Sequence, residues 1–411
     1  MKNQMKFKDT EIGRIPEDWD VRELYKVADI IMGQSPPSDT YNQEKTGLPF
    51  FQGRKDFGSK YPLTTIWCSN PTRIAKKDDV LLSVRAPIGD VNIAKEKCCI
   101  GRGLSIICMK NENNDFLYYL LRQNSQNIQR IYESEGTVFG CLTKNGLHCL
   151  KFAFPPNNEQ QAIAKILSEL DSKIELNQQL NKTLEAIGQA IFKRWFIDFE
   201  FPNEHGKPYK SSGGEMVDSE LGEIPKGWKV GIIADDFNLT MGQSPPGSTY
   251  NENGEGISFF QGRTDFGFRY PTERIYCTEP SRFAESGDTL VSVRAPVGDI
   301  NKALKRCCIG RGLASIRHKT RSRSYTYCTM QMLKDDFAEF EAEGTVFGSI
   351  TKNKFEEIQI IIPHKNIVNL FEKVLFALDQ LIENNEIECI TLSQIRDSLL
   401  PKLMSGKIRV I

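Results

Sequence analysis

The chain is written twice. Met32-Gly33-Gln34-Ser35-Pro36-Pro37 returns as Met241-Gly242-Gln243-Ser244-Pro245-Pro246, and Phe50-Phe51-Gln52-Gly53-Arg54 as Phe259-Phe260-Gln261-Gly262-Arg263. Ser83-Val84-Arg85-Ala86-Pro87 returns as Ser292-Val293-Arg294-Ala295-Pro296, and Cys98-Cys99-Ile100-Gly101-Arg102-Gly103-Leu104 as Cys307-Cys308-Ile309-Gly310-Arg311-Gly312-Leu313. All four lie 209 residues apart; Glu135–Gly140 recurs at Glu343–Gly348, 208 apart. About half of the positions from 11 to 110 are identical to their partners. A period this long excludes a solenoid, whose units run to about 20–50 residues, and means a duplicated domain.

Each copy ends in a long segment almost free of glycine and proline. In the first, Ile163, Leu167, Leu170, Ile174, Asn177, Asn181, Leu184, Gly188, Ile191 and Trp195 follow alternating four–three spacing. In the second, Phe371, Leu375, Leu378, Ile382, Asn385, Cys389, Leu392, Arg396, Leu399 and Leu403 do the same. That pattern predicts a coiled-coil seam; two separate amphipathic helices, each lying on its own domain, is the other reading. At about 1.5 Å per residue each helix reaches roughly 60 Å, so the helices are expected to separate the domains rather than pack within them. Asn177 and Asn385 occupy equivalent seam positions, where a buried Asn fixes register at some cost in stability.

Short runs such as Val80–Val84 and Leu290–Val293 read as strands, and Asp115–Ile131 and Tyr325–Phe340 as helices. The expected fold is therefore α+β: two similar mixed α/β domains, each followed by a long helix, a pseudo-symmetric pair by duplication. The expected limits are residues 1–156 for the first domain, 157–199 for the central helix, 200–219 for a Pro/Gly/Ser-rich linker, 220–364 for the second domain and 365–411 for the C-terminal helix.

Several enzyme classes fail on the residues. There is no G-x-x-x-x-G-K-[ST] phosphate loop, and Gly101-Arg102-Gly103 stops short of a dinucleotide fingerprint. Phe154-Pro155-Pro156-Asn157 does not supply the Asp/Asn-Pro-Pro-aromatic tetrad of an amino-methyltransferase, and the acidic residues are too dispersed for a nuclease. His148, His205, His318 and His364 do not recur between the copies, as catalytic histidines of a duplicated enzyme would. The 11 cysteines form no C-x-x-C, so no metal site is expected, and reduced thiols fit a cytoplasmic protein. No apolar run exceeds strand length. The chain reads as a binding protein.

The repeated motifs are dense in residues that bond nucleic acid: Arg to guanine or phosphate, Gln to adenine. The candidates are Gln34, Ser35, Gln52, Arg54, Arg85, Arg102 and Lys144, with copies Gln243, Ser244, Gln261, Arg263, Arg294, Arg311 and Lys352. Val84–Asp90 also admits a structural reading, a turn closed by an internal Arg–Asp pair. Gly33 and Pro36-Pro37 are expected to shape a loop, and Phe50, Phe51, Phe57 and Phe139 to be core. Positions that differ between the copies after the F-F-Q-G-R loop are candidates for base reading: Lys55/Thr264, Ser59/Phe268, Lys60/Arg269, Thr64/Glu273 and Thr65/Arg274. Neutral surface drift is the competing account of them. The chain has 53 basic and 53 acidic residues, yet residues 54–130 carry a net +6 and residues 263–323 a net +7. Zero net charge thus hides a basic stretch in each copy, the footprint of phosphate contacts.

M-G-Q-S-P-P, F-F-Q-G, V-R-A-P-[IV]-G-D, I-G-R-G-L and E-G-T-V-F-G, in that order and twice, resemble the specificity subunit of type I restriction–modification systems. The resemblance spans almost the whole chain, including Phe192–Phe199 and Leu400-Pro401-Lys402-Leu403. It implies that each copy is a target recognition domain reading half of a bipartite site in double-stranded DNA. It implies that the two long helices pair antiparallel as a ruler and dock two methylation subunits, with restriction subunits joining later. It implies no cofactor and no catalysis in this chain, with S-adenosylmethionine, ATP and Mg on the partners. A coiled-coil scaffold without DNA readout is the alternative from another class; a methylase–nuclease fusion lacks its catalytic tetrad. The likeness of the two copies suggests related half-sites and a partly palindromic target.

Overall fold

The computed structural model describes residues 6–133, 141–342 and 348–410. The E-G-T-V-F-G motif, and Phe139 with it, lies almost wholly outside the described residues. The chain forms two compact units, residues 1–175 with 390–411 and residues 176–389. The two long helices are each shared between units, so neither is a simple spacer outside both.

In the first unit, strand Leu104–Met109 lies between Ala28–Met32 and Val80–Ser83, and Val91–Ile93 completes a four-stranded antiparallel sheet. A second sheet orders Tyr41–Asn42, Trp67–Cys68, Leu48–Phe51, Cys98–Ile100 and Ile74–Ala75; within it Leu48–Phe51 and Cys98–Ile100 run parallel. Val80, Leu81, Leu82 and Ser83 are all buried, which explains an unbroken apolar run where a surface strand would alternate. Helix Asn114–Glu133 packs on the first sheet, and Phe116, Leu117, Tyr118, Leu120, Leu121 and Ile128 join the domain core, while Tyr119 reaches Asp171 of the long helix.

The second unit repeats both sheets strand for strand. One orders Phe237–Met241, Leu313–His318, Thr289–Ser292 and Ile300–Lys302; in the other, Ile257–Phe260 runs parallel to Cys307–Ile309. Its covering helix differs. It runs Arg323–Met332, leaves helical geometry at Leu333 (ψ 10°) and resumes over Lys334–Ala342, where the periodicity predicted one helix. Leu333 and Phe337 are both buried, so the bend turns two apolar side chains onto the same core.

The long helices are Asn157–Phe192, continued by a π-helical turn over Lys193–Ile197, and Lys365–Met404. Within the first unit Ile163, Ala164 and Leu167 of one and Leu400, Leu403 and Met404 of the other join the domain core. Within the second, Phe192, Trp195 and Phe196 meet Val368, Phe371 and Leu375 there. The helix ends therefore pack into the domains as well as beyond them. Each fully buried Leu, Ile or Phe in these seats contributes about 1.5–3 kcal/mol. In the second unit the helices run antiparallel, since Asn177 meets Glu388 (2.7 Å) and Asn181 meets Asn385 (2.8 Å). In the first, Asp171 meets Arg396 (2.7 Å). Register is marked by Asn181–Asn385, both buried; Asn177 bonds a carboxylate instead.

The segment expected to be a linker, residues 200–219, is folded onto the second unit. Phe201 stacks on Trp228 at 5.1 Å and on Tyr209 at 4.6 Å, and Met216–Val217 pairs with Ile224–Pro225. The equivalent tryptophan of the first unit, Trp19, donates from Nε1 to Glu159 (3.1 Å). Arg409 bridges Glu159 and Asp18 beside it. A Gly/Ser/Pro-rich composition signals a linker only where no aromatic groups anchor it; here Phe201 and Tyr209 do.

Candidate nucleic-acid interface

The scattered repeat motifs converge on one loop cluster in each domain. In the first, the amides of Gly101 and Gly103 donate to Phe51 O (2.8 Å) and Gln52 O (3.0 Å), tying I-G-R-G-L to F-F-Q-G. Gly33 N donates to Leu104 O (2.9 Å) and Gln34 N to Ile100 O (3.2 Å), and Val84 N to Gly103 O (2.9 Å). Ser35 Oγ accepts from Arg102 N at 3.2 Å. A side chain at Gly33 would strike the Gly101 carbonyl, and one at Gly103 would come within 2.5 Å of Gln52 O, so these glycines permit the strands to interlock. The second domain reproduces the clamp: Gly310 N to Phe260 O (2.9 Å), Gly312 N to Gln261 O (3.1 Å), Gly242 N to Leu313 O (2.9 Å) and Arg311 N to Ser244 Oγ (3.3 Å).

Polar side chains crown this clamp. Gln34, Arg85, Arg102 and Lys144 are exposed, and Ser35 and Gln52 half-buried. Leu142 N donates to Val84 O (2.8 Å), which places the helical turn beginning at Lys144 beside Arg85. In the second domain Gln243, Gln261, Arg294, Arg311 and Lys352 are exposed and Ser244 is half-buried, its Oγ donating to Gln261 (3.0 Å). Arg85, Arg102, Lys144, Arg294 and Arg311 have no carboxylate partner among the described residues, and Lys55 is likewise exposed and unpaired there; Lys352 pairs loosely with Glu356 at 3.4 Å. Phe50, Phe51 and Phe57 are buried, as core residues.

An Arg–Asp pair does brace the V-R-A-P-x-G-D turn, but the arginine comes from the other loop. Asp90 binds Arg54, not Arg85, and Asp299 binds Arg263. The backbone N–H groups of Asp90 and Asp299 donate to Ser83 Oγ and Ser292 Oγ (both 2.9 Å), fixing the turn that carries each aspartate. Arg54 and Arg263 are thus half committed to the fold. Among the described residues, the same arrangement leaves Arg85 and Arg294 without a carboxylate partner.

The positions that differ between the copies separate. Arg274 is 56% exposed, with its Nε on Asp265 at 2.6 Å. Lys60 and Arg269 do not face solvent. Lys60 pairs with Glu175 of the first long helix at 2.9 Å. Arg269, 5% exposed, lies between Glu185 and Asp379 of the two long helices and over the Tyr327 ring (4.5 Å). In that packed position Arg269 has no open face for a base.

Beside each clamp is a groove that the sequence reading did not single out. In the first domain it has a volume of about 650 Å³ and runs between Arg54–Ser59 and the polar side of helix Asn114–Glu133, with Arg122, Gln123 and Gln126. In the second it has about 570 Å³ and is bounded by Arg263, Thr264, Gln331 and Lys334. The helix residues are unlike between the copies while the clamp is nearly identical. That divergence was visible in the sequence; what it lined was not. Asp335, Asp336 and Glu339, on the helix that follows Lys334, are exposed. Among the described residues no three His, Cys, Asp or Glu side chains are grouped to hold a metal ion, and no helix is long and apolar enough to cross a membrane.

The chain matches the family described as the type I restriction modification DNA specificity domain twice, over residues 16–186 and 225–392. It is 33% identical over 431 residues to the putative type I restriction enzyme MjaX specificity subunit of Methanocaldococcus jannaschii, covering 98% of this chain and 97% of that one. It is 28% identical to the MjaIX specificity subunit of the same organism, covering 99% and 97%. The crystal structure of a type I restriction–modification S subunit from M. genitalium superposes with a TM-score of 0.61 at 18% identity, covering 98% of this chain and 97% of that one, a likeness of fold.

Proposed function

We propose that this chain, which belongs to the type I restriction–modification specificity-subunit family and so recognises specific DNA sequence, reads its target in two halves, one per repeat. The observation that carries this is the duplicated clamp, with Arg85 and Arg102 on one copy and Arg294 and Arg311 on the other, none of them paired to a carboxylate among the described residues. Those arginines and Lys144 grip phosphate, which positions a protein on DNA without reading it. The helix residues along each groove, Arg122, Gln123 and Gln126 in the first and Gln331 and Lys334 in the second, reach base edges. Gln52, Gln261, Arg54, Arg263, Lys55 and Arg274 stand between these roles. The shared clamp favours related half-sites and the unlike grooves distinguish them.

The long helices dock the methylation subunits. In the second unit Leu176, Leu180 and Ile187 of one helix and Leu370, Val374 and Leu381 of the other are each 38–59% exposed, at the same four–seven spacing. Apolar rows open to water mark protein-binding surfaces. In this reading the chain has no catalytic step of its own: methyl transfer with S-adenosylmethionine, and restriction with ATP and Mg, belong to partner subunits.

The test is duplex binding against salt, with and without the methylation subunit. Site-specific binding whose affinity falls steeply with salt is expected, stronger in the complex. Assembly with the methylation subunit and no salt-dependent DNA binding would instead make the chain a protein scaffold.

A further inference from the structure

We propose that an ionic seat between each recognition domain and the long helices beneath it, buried around Arg269 in the second repeat and half-buried around Lys60 in the first, fixes the angle at which that domain is presented and sets how strictly half-site separation is enforced. The inference rests on the two-half reading above. It makes Arg269 and Lys60 positioning residues rather than readers of bases.

The basic position recurs in both copies while its partners differ: Lys60 meets Glu175, whereas the equivalent Glu383 bonds Tyr270 and Arg269 meets Asp379 and Glu185. Lys60 and Arg269 are 209 residues apart, and their backbone carbonyls accept from the next sheet in the same way, from Ile93 N and Lys302 N, both at 2.8 Å. On the helices, Asp171 and Asp379 are equivalent, as are Glu175 and Glu383, one helical turn further on. In the first unit Lys60 meets Glu175 at 2.9 Å, and Tyr119 donates to Asp171 at 2.5 Å. In the second, Asp379 receives Arg269, Lys302 (3.3 Å) and Ser324 Oγ (2.8 Å), and Glu185 takes the other arm of Arg269. Glu372 of the same helix also accepts the first amides of helix Arg323–Met332, from Arg323 N (3.0 Å) and Ser324 N (2.9 Å).

A seat of this kind resists tilting in a way that apolar packing does not. Leucines slide against one another at little cost, whereas a guanidinium fork fits two carboxylates in one orientation. Burial alone would push the Asp379 carboxyl upward, but Lys302 and Arg269 outweigh it and hold the carboxyl below the ordinary range. Rotating the domain would leave that charge buried and unpaired. The two seats are unequal: Arg269 and Lys302 are 5% and 4% exposed, while the Lys60–Glu175 pair is 14% and 29% exposed. The second domain is therefore held more rigidly than the first.

The test uses the complex with the methylation subunits and a series of duplexes in which the spacer between half-sites is lengthened or shortened by one base pair. Glu185→Gln and Arg269→Met should lower the preference for the native spacer by about tenfold, with discrimination against base changes inside either half-site kept. Lys60→Met should have a smaller effect, and Arg269→Lys should restore part of the preference lost in Arg269→Met. Should Arg269→Met fail to fold, Glu185→Gln and Lys60→Met carry the test. Unchanged spacer preference in folded variants would overturn the seat's role. Relaxed base choice at one half-site with spacer preference intact would also overturn it, by returning position 269 to base reading. A wild-type complex with no sequence preference at all would instead refute the two-half reading.

Discussion

Replacing Arg269 by Met removes the one cationic side chain that neutralises Glu185 among the described residues, and one of the two that neutralise Asp379. Both carboxylates sit where water is scarce, at 14% and 16% exposure, and Lys302 reaches only Asp379. Removing one partner of a buried pair costs about 3–5 kcal/mol, because the remaining charge is uncompensated. The same substitution at Lys60 strands a single carboxylate, Glu175, that is 29% exposed and can take up water; its cost is roughly 1 kcal/mol. Against a typical total of about 5–15 kcal/mol, the first change is severe and the second mild. Equilibrium urea unfolding of the two variants should show this gap. Adding Glu185→Gln to Arg269→Met should recover about 1 kcal/mol or more, since it removes an orphaned charge. The sign with pH follows from Asp379. Its folded carboxyl lies below the ordinary 3.8, so its contribution to the wild type is complete above that value and is lost as pH falls below it. The Arg269→Met deficit should accordingly shrink in acid. Equal losses for Lys60→Met and Arg269→Met, or a double variant no better than the single, would refute this account of the seat.

Arg102→Ala and Arg311→Ala should each weaken binding to all duplexes alike and reduce the salt slope by about 0.9 per lost phosphate contact, measured by fluorescence anisotropy; a change confined to one base position would assign them to readout instead. Asn385→Ala should destabilise the helix pair by about 1–3 kcal/mol, because it leaves the buried Asn181 Oδ1 without its donor, and thermal unfolding against an Asn181→Ala/Asn385→Ala double variant should show strong non-additivity. Swapping Gln331 and Lys334 for Arg122 and Ser125, their repeat partners, should make the second half-site resemble the first; an unchanged methylation motif would exclude the groove from base reading.

The duplication and the coiled-coil seam were legible because each is a periodicity, and periodicity survives without coordinates; the buried strands showed as short unbroken apolar runs bounded by Gly and Pro. Asn181–Asn385 shows the limit: both lay on the predicted seam, but the equivalence of Asn177 and Asn385 in the repeat did not make them partners, since antiparallel pairing reverses the order. Lys60 and Arg269 show another. A basic residue in a variable loop has the same composition whether it faces DNA or a carboxylate, and only the helix beneath decides. The groove helices were invisible as a site for a related reason: Gln123 and Gln126 carry no motif, and their meaning comes from the loop opposite. Residues 200–219 misled through composition, because two aromatic rings outweigh many small polar residues once a tryptophan is there to receive them.

The central claim is that each repeat reads its own half of the target. Mapping methylated bases across the genome of a host carrying this chain with its methylation subunit tests it most directly. The account predicts one bipartite motif, two specified halves separated by a fixed run of unspecified bases, with mutations in either groove altering one half alone. A single uninterrupted motif, or one whose two halves both change when one groove is altered, would contradict it.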